Sequence, residues 1–218
     1  MNLDEARKVT AQLSNKTKRP SWYVWTGGWY EMGGNENYYL KHDYLTPESL
    51  VLEVGTYHGE WAYNILSTYG CRYLGFEPAT KAYDAAVERL LPFENAEVMH
   101  FGVSDENGTA ILYDTERDSA NLFSGGGRQE TVPLMDIAEI VDSVPYVDLF
   151  CMNCEGEEFK ILRRLIESEE INSIDRMMLQ WHSVIPYAFA NWVQIESRLA
   201  ETHAMEWNLG AWELWSAT

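Results

Sequence analysis

The chain has 218 residues, with 34 acidic side chains against 16 basic ones and a net charge of −18. That length suits one sizeable α/β domain with a buried core, and the charge argues against nucleic acid or an anionic membrane as partner, because phosphate is bound by Lys and Arg. No apolar run nears the ~20 residues of a membrane span. The first residues lack the apolar core of a signal peptide. Cys71, Cys151 and Cys154 make no disulfide framework, and the Cys151/Cys154 spacing falls in an apolar strand pattern without a second metal-type pair. A reducing, cytoplasmic location is therefore expected.

In chain order, Leu3–Leu13 reads as a helix and Asn15–Arg19 as a basic polar stretch. Residues 21–40 are unusually rich in Trp, Tyr and Gly, which describes no regular element. Two readings stand side by side. The segment is a lid whose aromatic faces meet a sugar, through Trp29, Tyr30 or Tyr38, or it is a cap packed on the domain or on a second copy in a homo-oligomer. Residues 1–45 are taken as this cap or lid and 46–218 as the main domain.

The alternation then begins. Leu50–Val54 is a short apolar run suited to a buried parallel strand. Gly55 and Gly59 break it, and a helix is expected over Glu60–Tyr69, closed by Gly70. The strand Arg72–Glu77 leads to a helix over Thr80–Leu91, and Ala96–Phe101 reads as a third strand running into Gly102-Val103-Ser104-Asp105. Asn107-Gly108 is a hairpin-type pair, so Thr109–Tyr113 reads as an extra strand. Asp118–Gln129 reads as a loop, Thr131–Leu134 as a short extended piece, and Asp136–Val141 as a helix. Val147–Met152 is the next core strand, followed by a helix over Glu157–Glu167 and a strand over Arg176–Gln180. A helix over Tyr187–Thr202 and strands at Met205–Asn208 and Trp212–Trp215 complete the pattern. Strands alternating with helices predict an open, Rossmann-like α/β sheet of seven strands, mostly parallel, with helices on both faces and a C-terminal antiparallel hairpin.

Strand, glycine turn and helix is a geometry that brings backbone close to a nucleotide. The turn is a poor dinucleotide fingerprint, since Tyr57 stands where GxGxxG needs its second glycine. Glu53, at the tip of the first strand, would repel a pyrophosphate and suits a ligand with a positive end. Glu77, at the tip of the second, suits the hydroxyls of a ribose. The pattern Glu-x-Gly-x-x-x-Gly followed by an acid on the next strand resembles class I S-adenosylmethionine-dependent methyltransferases.

Four segments in order sharpen this. Glu53-Val54-Gly55, Phe76-Glu77-Pro78, Val103-Ser104-Asp105 and Asn153-Cys154-Glu155-Gly156 resemble the motifs of the FkbM-type methyltransferases, over about residues 48–182. The resemblance implies S-adenosylmethionine as cofactor, held by Glu53, Gly55, Thr56, Tyr57, Gly59, Glu77, Pro78, Val103, Ser104 and Asn153. It also implies O-methylation of a sugar, glycan or related natural product. Where such families carry Lys and Asp before Glu-Gly, this chain has Cys151 and Asn153, and Gln180 replaces an acid before Trp181-His182. A divalent metal held by Asn153, Glu155 and His182 is correspondingly weakened, since hard cations prefer charged oxygen. His182 is the first candidate for general base, Glu155 the second, with Asn153 positioning substrate or cofactor. Trp181 is the tryptophan expected nearest the substrate. A nicotinamide-dependent oxidoreductase and a non-catalytic cofactor-binding protein are the competing readings of the same fold.

Overall fold

In the computed structural model, Trp29 and residues 32–114, 120–122, 128–182 and 188–218 are described. The expected Leu3–Leu13 helix, Tyr30 and Gly125-Gly126-Gly127 lie outside them.

β1 (Leu50–Val54) is buried at all five positions and lies inside a seven-stranded sheet. Such burial requires partners on both edges and cover on both faces. β2 (Arg72–Phe76) and β8 (Val147–Met152) flank β1 in parallel, in registers that set Glu53 opposite Gly75 on one side and Cys151 on the other. β3 (Ala96–Met99) extends the sheet beyond β2, and β9 (Ile174–Gln180) extends it beyond β8. The hairpin of β10 (His203–Leu209) and β11 (Trp212–Ala217) closes it, with β11 antiparallel to β9. The order is β10-β11-β9-β8-β1-β2-β3.

Each parallel crossover carries a helix with one apolar stripe. α1 (Glu60–Tyr69) buries Trp61, Ala62, Ile65 and Leu66, and α2 (Thr80–Leu90) buries Ala82, Ala86 and Leu90. On the opposite face α3 (Ile137–Asp142), α4 (Glu158–Glu167) and α5 (Ala188–Leu199) pack on Leu52, Phe150, Met177 and Leu179. On the α1 face, β8, β9 and β11 share an apolar cluster with residues of the aromatic segment. Trp29 is 4% exposed, stacks on Trp212 at 5.2 Å and lies near Tyr39 and Trp207. Gly34 permits this, since a Cβ there would lie 2.1 Å from the Trp29 ring.

A second, four-stranded sheet was not expected. The segment read as a third strand is split: β3 ends at Met99, and β4 (Gly102–Ser104) pairs in parallel with β7 (Arg128–Asp136). β7 is much longer than the Thr131–Leu134 piece and pairs with β5 (Gly108–Asp114), while β6 (Ala120–Asn121) falls within the stretch read as a loop. Gly102 is the reason β7 approaches so closely, because a Cβ there would meet Leu134 Cδ2 at 2.7 Å. Asp136 ends β7, caps α3 through the Ala138 N–H at 2.9 Å and takes a two-pronged bond from Arg164 of α4.

Candidate functional site

In an open parallel sheet the strand tips on the carboxyl side leave a crevice where ligands bind. Here the tips of β1, β2, β8 and β9 bring Glu53, Glu77, Asn153, Glu155 and His182 to one edge.

The β1 tip turns at Gly55, whose φ of +89° favours glycine. A Cβ there would also lie 2.0 Å from the Asn153 carbonyl oxygen, so the β1 turn and the β8 tip touch backbone to backbone. Gly55 and Thr56 both donate their N–H groups to the Phe76 carbonyl, at 3.0 and 3.1 Å. Tyr57 holds a left-handed φ of 51°, which costs a non-glycine residue about 1 kcal/mol or more. Gly59, also left-handed, begins α1. Tyr57 thus adopts the conformation a glycine would supply, and its ring stacks on His58 at 3.7 Å.

Glu77 is buried at the β2 tip. One carboxyl oxygen accepts the Tyr57 N–H at 2.8 Å and the other the Ala79 N–H at 2.9 Å. Burial pushes its pKa up to about 7 against those two bonds. Glu53 is buried with a hydrogen bond from the Tyr73 hydroxyl; burial, reinforced by Glu77 and Glu60, holds it up at about 8 against that bond. Asn153 Oδ1 is buried without a hydrogen-bond partner.

The polar groups at these tips are therefore acceptors: two buried carboxyls and one orphaned amide oxygen. That set fits a ligand rich in donors and positive charge, such as the ribose hydroxyls and ammonium of S-adenosylmethionine, and does not fit a pyrophosphate. Glu77, Glu53, Asn153 and the turn 55–59 are the residues that would hold it.

Across the crevice, His182 follows β9 and lies between two carboxylates. Its Nδ1 is 2.5 Å from Glu158 Oε1 and its Nε2 3.3 Å from Glu155 Oε1. Burial pulls its pKa down, but the Glu158 charge, then the bonds to Glu155 and Glu158, outweigh this and hold it at about 10. The imidazole is charged at neutral pH with both ring nitrogens engaged. This corrects the expectation of His182 as general base, which needs a free lone pair at working pH. Among the described residues no group of three or more His, Cys, Asp or Glu is placed to hold a metal ion. Glu155 is the more exposed partner, its side chain 25% accessible against 1% for Glu158, and its φ of 53° is a left-handed conformation.

Several other expectations change. Ser104 Oγ lies 2.8 Å from Glu157 Oε2, to which it donates, and 3.0 Å from Asp105 Oδ1, tying the β4 tip to the start of α4, and Val103 is core. Trp181 is 1% exposed between Phe159 and Trp192, so it is packing and not a substrate surface. Trp29 is corrected in the same way, and Tyr38 sits edge-on to Trp207 at 5.3 Å. The Thr56 hydroxyl is engaged 3.0 Å from that of Tyr73. Sequence reasoning missed Tyr73 and Glu158. The signal for Glu158 was present in the spacing Glu155-Gly156-Glu157-Glu158; that for Tyr73 was Gly75 two residues on, which leaves room for a long side chain on the same strand face.

The strand order, the glycine turn and the acid at the second tip define a class I methyltransferase. Residues 53–205 match the family model of the methyltransferase FkbM domain, and the chain belongs to that family. No curated protein sequence matches. Among solved structures, a putative rRNA-methylase from Clostridium thermocellum is similar at a TM-score of 0.50 and 9% identity, over 86% of this chain and 97% of that one. An rRNA methylase from Streptococcus thermophilus gives 0.47 and 10%, over 79% and 89%. At such identities the likeness concerns the fold alone. Among the described residues, no helix is long and apolar enough to cross a membrane.

Proposed function

We propose that this methyltransferase is an O-methyltransferase that uses S-adenosylmethionine to modify a hydroxyl of a sugar, glycan or related natural product in the cytoplasm. The observation that carries the reading is the Glu155–His182–Glu158 cluster at the β8 and β9 tips, beside the acceptor-rich tips of β1 and β2. When bound, the cofactor supplies an electrophilic methyl on a sulfonium. This chain's residues hold it, orient the acceptor and take the proton the hydroxyl loses. Holding the reacting atoms in line is worth roughly 7–11 kcal/mol in good cases. Glu155 is the proton acceptor in this reading. His182 and Glu158 position it: the buried Glu158 keeps the imidazole charged, and the imidazole fixes the Glu155 carboxylate.

A small, neutral acceptor is favoured over RNA, although proteins of similar fold are rRNA methylases, because the chain carries −18 and its site is lined by acids. The test is methyl transfer from labelled cofactor to a panel of sugars, glycosides and hydroxylated natural products, with an RNA control. Label on a sugar or glycoside hydroxyl supports the reading; label on RNA, or on nitrogen, overturns it.

A further inference from the structure

Tyr73 is the polar residue at the site that the motifs do not explain. It lies on β2 opposite Val51, inside the sheet, where a Phe would bury as well. Its ring instead runs along the strand over Gly75, and a Cβ on Gly75 would come within 2.4 Å of both the Tyr73 hydroxyl and Thr56 Oγ1. The hydroxyl donates to Glu53 and sits 3.0 Å from Thr56 Oγ1. Tyr73, Glu53 and Thr56 are 2%, 4% and 4% exposed. One phenol thus joins the last residues of β1, the turn and β2, at the cost of a tyrosine hydroxyl buried among acids.

We propose that Tyr73 is a positioning residue for the cofactor, whose hydroxyl holds the Glu53 carboxyl toward the cationic amino-acid end of S-adenosylmethionine. This rests on the reading that the β1 and β2 tips take that cofactor. Among the described residues, five titratable groups surround Glu53: Tyr73 from β2, Glu77 just past its tip, Glu60 from α1, Cys151 from β8 and Tyr39 from the aromatic segment. None is a cation, so Glu53 is protonated near neutrality in the free protein, and the Tyr73 bond is the contact that favours its charged form. A cationic ligand displaces that proton, so affinity rises with pH through the Glu53 transition. Without the phenol the transition moves to higher pH.

The experiment is calorimetric titration of wild type, Tyr73→Phe and Glu53→Gln from pH 6 to pH 9. The ligands are S-adenosylmethionine and 5′-methylthioadenosine, which lacks the charged amino-acid end. Tyr73→Phe is expected to weaken S-adenosylmethionine about tenfold, shift its pH midpoint upward and leave methylthioadenosine unchanged. Glu53→Gln is expected to weaken it at least as much and remove that transition, and the double variant to be no worse than Glu53→Gln. If Glu53→Gln weakens binding and Tyr73→Phe does not, the positioning role is overturned alone. Equal losses for both ligands in Tyr73→Phe also overturn it, since a damaged turn would weaken any adenosine. Wild type that binds no S-adenosylmethionine overturns the cofactor reading and the proposal with it. Should Tyr73→Phe not fold, Thr56→Val removes the other partner of the phenol and is expected to weaken S-adenosylmethionine selectively; binding like wild type overturns the proposal.

Discussion

The two halves of the crevice treat buried acids in opposite ways. At the β1 and β2 tips, Glu53 and Glu77 have hydrogen-bond donors but, among the described residues, no cation, and burial raises them to about 8 and about 7. At the β8 and β9 tips, Glu155 and Glu158 share His182, which they hold charged to about 10. Desolvation penalises charge in both places; what differs is whether the partner carries charge of its own. The first half is left short of a cation, which is what a sulfonium with an ammonium supplies. The second half carries its own cation, so His182 holds the Glu155 carboxylate in place without help from a ligand.

If that division is correct, the largest effect falls on turnover. Glu155→Gln keeps the shape and removes the proton acceptor, so turnover with the identified acceptor is expected to fall roughly 10²–10⁴-fold. Calorimetry of the same variant is expected to give wild-type cofactor affinity. A loss confined to affinity would place Glu155 in the wrong half.

His182→Ala tests the second half as structure. It leaves Glu158 buried without its cation, which is expected to cost about 3–5 kcal/mol in denaturant unfolding at pH 7. The sign with pH is defined: a histidine raised in the folded state adds stability that is full below its unfolded pKa, near 6.5, and is lost as pH rises through about 10. The gap between wild type and variant is therefore expected to narrow from pH 6 to pH 10. A gap that does not change with pH would show that His182 is packed there neutral.

How much of this was legible depends on the range of the interaction. The core strands follow from short apolar runs, such as Leu50–Val54, that repeat with helical segments between them. Glu53, Gly55 and Glu77 follow from position, since a strand tip is a local property. The second sheet was hidden because the β5–β7 pairing joins residues across a glycine-rich stretch whose composition reads as loop. The state of His182 was hidden for a related reason. Glu158 reaches it across 24 residues and Glu155 across 27, and no spacing in either segment reports that one imidazole receives both. Trp181 misled because its place just past a strand tip says nothing of which face it enters, and Phe159 and Trp192 take it into the core.

Glu53→Gln probes the first half in the absence of ligand. An acid whose pKa is raised on folding withdraws stability as pH climbs from its unfolded value, near 4.5, to its folded one, about 8. Wild type is expected to lose a few kcal/mol more than Glu53→Gln between pH 5 and pH 9, read as the midpoint of urea unfolding. Glu77 and Glu196, the latter also raised to about 8, decline alike in both proteins and cancel in the difference. Parallel curves would mean that Glu53 is ionised throughout and that the two halves do not differ.

Glu77→Ala gives the smallest effect and the finest test, because Glu77 has two duties. Its oxygens already fix the Tyr57 and Ala79 N–H groups, so each has one remaining direction for a ribose hydroxyl. Removing it is expected to weaken S-adenosylmethionine by about 1–3 kcal/mol. A loss of the turn alone would weaken binding equally at every pH. A loss of the ribose contact carries a pH signature, because a carboxyl raised to about 7 is half protonated there and accepts fewer bonds below it. Wild-type affinity is thus expected to rise between pH 6 and pH 8 by more than that of Glu77→Ala, and a constant ratio between them would leave Glu77 as a fastener of the turn and move the sugar to another acceptor.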